Sequence, residues 1–234
     1  MTASRIRKVE SIRCVRLRSG ARSLALCALF GLTAVCMWAP AFAHAQEAEK
    51  SAKKPAKNEL AVEGGGSFGN WRVFAYAEDR QVSTYGLEYD HLLWGRILKT
   101  QVDYTAELLP VVLLSEPAAY KIDSTALTKA RQMKYGADAS PAGFRLQWRQ
   151  GTGFEPYFYA KGGVAYFKER ILSPQDTHLQ FTAQFGVGFE HRLTRRMAIR
   201  AGFSEFHISN GDITRNPGVD LMYVNGQLSF RLGK

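Results

Sequence analysis

The chain is poor in cysteine, and the three it has, Cys14, Cys27 and Cys36, all lie within its first 36 residues. If that segment is removed, the remainder has neither disulfides nor thiol chemistry nor a cysteine metal site to draw on. Charge of one sign is also scarce where it would matter. Residues 1–45 carry seven Arg or Lys against Glu10, and the rest of the chain holds 24 basic against 20 acidic residues. That balance is too weak and too dispersed for a nucleic-acid surface, though ordinary for a protein meeting anionic lipid headgroups. A phosphate loop is missing as well, because Gly64-Gly65-Gly66 is followed by neither a helix start nor Lys-Ser/Thr. Barrel curvature or close packing accounts for that run instead. His91 and His178 make no metal-ligand pattern with His207.

What the first 45 residues do contain is an export signal. A basic region ends at Arg22, an uncharged apolar run covers Leu24 to Trp38, and Pro40 precedes two small-x-small sites, Ala41-Phe42-Ala43 and Ala43-His44-Ala45. Residues 1–45 are therefore expected to be a cleaved secretory signal peptide. Residues 46–58, rich in Lys, Glu and Ala, read as a flexible periplasmic leader with no apolar face to bury.

From Glu59 onward the period becomes two. Leu179, Phe181, Ala183, Phe185, Val187 and Phe189 alternate with His178, Gln180, Thr182, Gln184, Gly186 and Gly188. The last segment sets Met222, Val224, Leu228 and Phe230 against Tyr223, Asn225, Gln227 and Ser229. Successive strand side chains point to opposite faces, so each segment has one apolar and one polar wall. The polar walls carry charges in mid-segment: Glu88 and Asp90, Asp103 and Glu107, Arg145, Lys161. In a bilayer such charges belong inside, where acids and bases of neighbouring strands pair and fill a narrow barrel. Eight segments can be counted, near 60–68, 81–93, 99–113, 133–148, 154–167, 177–191, 196–209 and 220–232. The expected fold is all-β: an eight-stranded, antiparallel, up-and-down transmembrane β-barrel over 59–234. Short connections near Trp94, Gly151 and Thr194 would be periplasmic and the longer ones external. The stretch 69–80, apolar from Trp71 to Ala77, either extends a strand or caps the mouth.

Strand parity also gathers chemistry. In the seventh segment Ile199, Ala201 and Phe203 face lipid, and the same parity carries Glu205, His207 and Ser209; Asp220 shares the outward parity of the eighth. Residues i and i+2 lie about 6.6 Å apart along one face, a gap that an imidazole can bridge to a hydroxyl. Asp220 on the adjacent strand could orient that imidazole, and Glu205 is a second candidate acid. Periodicity alone favours an ordinary polar rim at the headgroup boundary.

The motif His207-Ile208-Ser209-Asn210, followed by Asn216-Pro217-Gly218-Val219-Asp220 and a last strand, resembles the lipid A 3-O-deacylase family of outer-membrane acyl hydrolases. The resemblance is sharpest over 203–232 and looser across the other strands, Gly143-Phe144-Arg145 and Gly162-Gly163 included. It implies a carboxylic ester hydrolase with base His207, nucleophile Ser209 and an acidic third member, without metal or cofactor. It further assigns oxyanion or positioning roles to Asn210, Asn216 and Gly218. The best-known members have Glu as third member after a loop one residue longer, whereas Asp220 stands here. The implied partner is lipid A, or lipopolysaccharide, of the outer leaflet, with a homodimer as a further option. Arg215, Lys168 and Arg170 in the outer connections could meet its phosphates or remain solvated rim charges. The rival is a non-catalytic outer-membrane barrel, a structural protein or adhesin, which would need neither Ser209 nor Asp220. A pore is disfavoured because eight strands leave an interior filled by side chains.

Overall fold

Alternating side chains force each strand to choose a wall, and a closed sheet makes neighbouring strands choose alike. A computed structural model describes residues 57–97, 100–148, 153–214 and 217–233. The expected signal peptide, and the leader as far as residue 56, lie outside the described residues. The strands are β1 (Asn58–Trp71), β2 (Gln81–Ile97), β3 (Thr100–Pro117), β4 (Arg131–Trp148), β5 (Phe154–Phe167), β6 (Leu179–Arg192), β7 (Met197–Ser209) and β8 (Val219–Leu232). Each pairs antiparallel with the next and β1 closes on β8, so no sheet edge is left open.

The connections alternate in length as expected. That between β6 and β7 takes only 193–196, whereas those following β1, β3, β5 and β7 run 72–80, 118–130, 168–178 and 210–218. One turn moves: Trp94 is not in a connection but within β2, where register shifts on either side of it carry the strand on to Ile97. Two further irregularities fall at prolines. The register of β3 on β4 shifts between Leu109 and Val112, across Pro110, and that of β4 on β5 between Ala139 and Ala142, across Pro141. Proline has no N–H to give the ladder, so a bulge is where it fits.

The mid-strand charges face inward, and they pair. Arg200 reaches Glu59 at 2.5 Å, Asp90 at 2.7 Å and Glu190 at 2.9 Å. Arg145 meets Asp90 at 3.0 Å and Asp103 at 3.3 Å, while Lys161 joins Glu88 at 2.8 Å and also Glu107. Removing one partner from such a buried network costs about 3–5 kcal/mol, because the other charge is stranded away from water. The gap left among Glu88, Arg145, Tyr157 and Asn225 holds about 10 Å³, room for roughly one water. Among the described residues the interior is a packed core rather than a channel.

Toward the long-connection end the interior turns apolar. Leu109, Val112, Leu114, Phe167, Phe206 and Leu221 cluster there, joined by Ile171 and Leu172 from the connection after β5. Arg80, almost fully buried, donates to the Ser124 carbonyl at 3.0 Å and sits 5.2 Å from the centre of the Tyr120 ring. The Ser124 hydroxyl in turn bonds the Leu172 carbonyl. Three long connections are thus tied over one apolar plug, which gives the rim beside β7 and β8 a fixed backing.

Candidate active site

The outward parity of β7 holds along its whole length. Ile199 and Phe203 are exposed on the outer wall, while Arg200 and Ser204 are buried inside. His207 faces Asp220 directly across the β7–β8 ladder. Within this outward row the imidazole of His207 has both nitrogens engaged. Nδ1 lies 2.6 Å from Asp220 Oδ1, and Nε2 lies 2.9 Å from Ser209 Oγ. A carboxylate only accepts, so Nδ1 carries the proton and Nε2 is left to accept from the hydroxyl. The Asp220 side chain is fully buried and that of His207 half-buried. An acid, an imidazole and a hydroxyl in line are the parts that nucleophilic acyl transfer requires.

Asp220 is held from its other side as well. Its Oδ2 accepts the backbone N–H groups of Val73 at 2.7 Å, Phe74 at 2.6 Å and Ala75 at 2.9 Å. Of the stretch that the sequence left unplaced, 69–71 extends β1, and 73–77 runs beside the start of β8, bonding Asp220, Pro217 and Gly218. Phe74 meets the His207 ring edge-on at 5.9 Å and packs against Phe185 at 6.2 Å. Sequence reasoning had one signal for this, the apolar run Trp71–Ala77 in a connection that should be polar.

Glu205 stands in the same outward row, two residues before His207, yet it is buried, with its carboxyl beside that of Asp220. It makes no bond to His207; Asp220 occupies Nδ1. Glu205, His207 and Asp220 nevertheless bring one ligand atom each within 4.8 Å of one another, as do Glu63, Glu88 and Glu107 in the interior. The interior group already encloses the Lys161 ammonium, paired with Glu88 and Glu107.

Asn210 follows even parity and turns inward. Its amide donates to Asp176 at 2.8 Å and to the Thr214 hydroxyl at 2.6 Å, so it braces the last connection rather than standing beside Ser209. Gly218 does stand there: a Cβ added to it would lie 3.0 Å from Ala75 Cβ and 3.3 Å from Ser209 Cβ, and its φ of 60° suits glycine. Asn216 and Arg215 lie outside the described residues. Lys168 and Arg170 are exposed at the rim, with Arg170 bonding the Pro174 carbonyl at 3.2 Å.

A closed eight-stranded barrel with paired charges inside and an apolar outer wall is an outer-membrane β-barrel. More particularly, the chain belongs to the lipid A 3-O-deacylase (PagL) family, whose model matches residues 83–229 and so includes His207, Ser209 and Asp220. The solved outer membrane enzyme PagL covers 72% of this chain and 97% of its own, at 15% identity and a TM-score of 0.50. Neisserial surface protein A covers 76% and 98% at 8% identity, TM-score 0.44. The N-terminal β-barrel domain of Pseudomonas aeruginosa OprF covers 75% and 100% at 14% identity, TM-score 0.38. At these identities the likeness is one of fold. No curated protein sequence matches the chain.

Proposed function

We propose that this protein, exported through its N-terminal signal and seated in the outer membrane, hydrolyses the ester of the 3-O-linked acyl chain of lipid A in the outer leaflet. Ser209 is the nucleophile, His207 the general base and then acid, and Asp220 the group that orients and stabilises the imidazolium. The observation that carries the reading is the unbroken line Asp220–His207–Ser209, at 2.6 and 2.9 Å, on the outer wall of a barrel of this family. A non-catalytic barrel would have no use for that line.

The geometry dictates the steps. As Ser209 Oγ attacks the acyl carbonyl, its proton passes to His207 Nε2, and Asp220 offsets the charge that forms on the ring. The tetrahedral oxyanion needs donors, and the turn at Gly218, packed against Ser209, is where they are to be supplied, with the Asn216 amide assigned as one of them. Collapse expels the sugar oxygen, which takes the proton from Nε2 and leaves the acyl chain on Ser209. Water then gives its proton to Nε2, attacks the acyl-enzyme, and releases a fatty acid while Ser209 recovers its hydrogen. Phe74, Phe185 and the exposed Phe181 and Phe203 make the adjoining wall apolar, suited to acyl chains lying along it. Lys168, Arg170 and Arg215 are assigned to the phosphates at the headgroup level.

Tandem mass spectrometry of lipid A from cells with and without the protein tests this reading. The expected product lacks one ester-linked acyl chain and carries a free hydroxyl at a 3-position of the disaccharide. Unchanged lipid A, or loss of a chain from any other position, would sink it.

A further inference from the structure

The residues preceding the family match contain a feature that the proposed chemistry does not yet use. Val73, Phe74 and Ala75 point three successive backbone N–H groups at one oxygen atom, Asp220 Oδ2. None of the three has a polar side chain, and the side chains of Val73 and Phe74 are exposed. Whatever the segment contributes to the carboxylate comes from its main chain. Backbone donors in a barrel rim ordinarily find carbonyls or water, so three converging on one buried carboxylate oxygen mark a built arrangement.

We infer that the connection after β1 is a positioning element for the catalytic acid: an amide cradle at Val73–Ala75 that fixes Asp220 against His207. The inference rests on the triad reading above. The cradle compensates the carboxylate charge where the side chain itself is wholly buried, through short, charge-assisted hydrogen bonds. It also settles which oxygen does what. With Oδ2 saturated by three donors, Oδ1 is the one turned to Nδ1 of His207, and a short aspartate side chain is held at the reach the imidazole requires. The strap is itself pinned. Tyr76 and Ala77 donate their N–H groups to the Pro217 and Gly218 carbonyls, each at 3.1 Å, and the Asn70 amide donates to the Asp220 carbonyl at 3.3 Å. The connections after β1 and after β7 thereby move as one piece around the acid. Phe74 adds a ring at the imidazole edge, on the side away from the barrel interior.

The test removes N–H groups without touching the triad. Phe74→Pro and Ala75→Pro each delete one cradle donor, while Phe74→Leu keeps the donor and loses only the ring. Folding is read from heat-modifiable gel migration in detergent, and kcat and KM for lipid A are measured separately. The proline variants should migrate as folded, hold KM within about threefold, and lose kcat by on the order of 100-fold, the loss expected for an interaction that acts on the transition state. Phe74→Leu should lose less than about tenfold. Wild type should show a downfield proton resonance from the His207–Asp220 bond, shifted or lost in the proline variants. Should a proline variant not fold, replacing the Val73–Phe74 amide by an ester deletes the same N–H alone and carries the same expectation. Folded variants lacking a donor, yet with wild-type kcat and an unmoved resonance, would overturn the cradle. Ser209→Ala, measured alongside, separates the two readings: activity in that variant would overturn the triad itself, whereas an inactive Ser209→Ala beside fully active donor deletions removes only the cradle.

Discussion

Ser209→Ala is expected to fold and insert as wild type does, while releasing acyl chain on the order of 10⁵-fold more slowly or worse. The size of the effect follows from the division of labour. Without Oγ there is no acyl-enzyme, and the imidazole has only a poorly placed water to activate. What is left is binding and whatever stabilisation the turn near Gly218 offers a tetrahedral oxyanion. The structural cost is small by comparison. Ser209 closes the outward row at the last position of β7, and the described structure gives its hydroxyl one bond, to His207 Nε2. A single hydrogen bond at a partly open site is worth about 0.5–1.5 kcal/mol, too little to unfold a closed barrel. The check pairs a time course of lipid A deacylation in detergent with heat-modifiable migration. Deacylation at a wild-type rate by a folded Ser209→Ala would remove the nucleophile from the account.

Asp220→Asn is expected to be nearly as damaging, on the order of 10⁴-fold in kcat, and the cradle makes the reason specific. An asparagine amide has one accepting and one donating end. Three N–H groups from Val73, Phe74 and Ala75 demand the accepting end, so the NH₂ must turn toward His207 Nδ1. The imidazole would then accept at Nδ1 and carry its proton on Nε2, and Ser209 would lose its base. Glu205→Gln changes a group that stands beside Asp220 but makes no hydrogen bond to His207, and a few-fold effect is expected. A severe Glu205→Gln beside a mild Asp220→Asn would reverse the assignment of the acid.

Much of this was legible because strand alternation is a local property. Period two in the last segments placed β6, β7 and β8 within two residues of their observed ends, and outward parity put His207 with Ser209. Counting back along β8 brought in Asp220, which the ladder pairs with His207. Asn210 was open to the same argument, since even parity in β7 points inward. There the motif drew the eye toward the nucleophile, whereas the side chain braces Asp176 and Thr214. The extra length of β2 was hidden because bulges on both sides of Trp94 break the period that marks a strand. The cradle could not have been read at all. Its donors are backbone groups, identical in every residue but proline, and only the path of the chain beside β8 aims them at Asp220. The apolar run Trp71–Ala77 signalled that the connection was special without saying what it held.

The central claim is that Ser209, activated by His207 on the outer wall, attacks an acyl carbonyl. Trapping tests it most directly. Folded protein is incubated with a long-chain alkyl fluorophosphonate, which phosphonylates an activated serine, and the modified peptide is sequenced by tandem mass spectrometry. One adduct is expected, on Ser209, formed in parallel with loss of deacylation and absent from folded His207→Ala. An adduct on another residue that tracks the loss of activity, or full deacylation by protein quantitatively modified at Ser209, would contradict it.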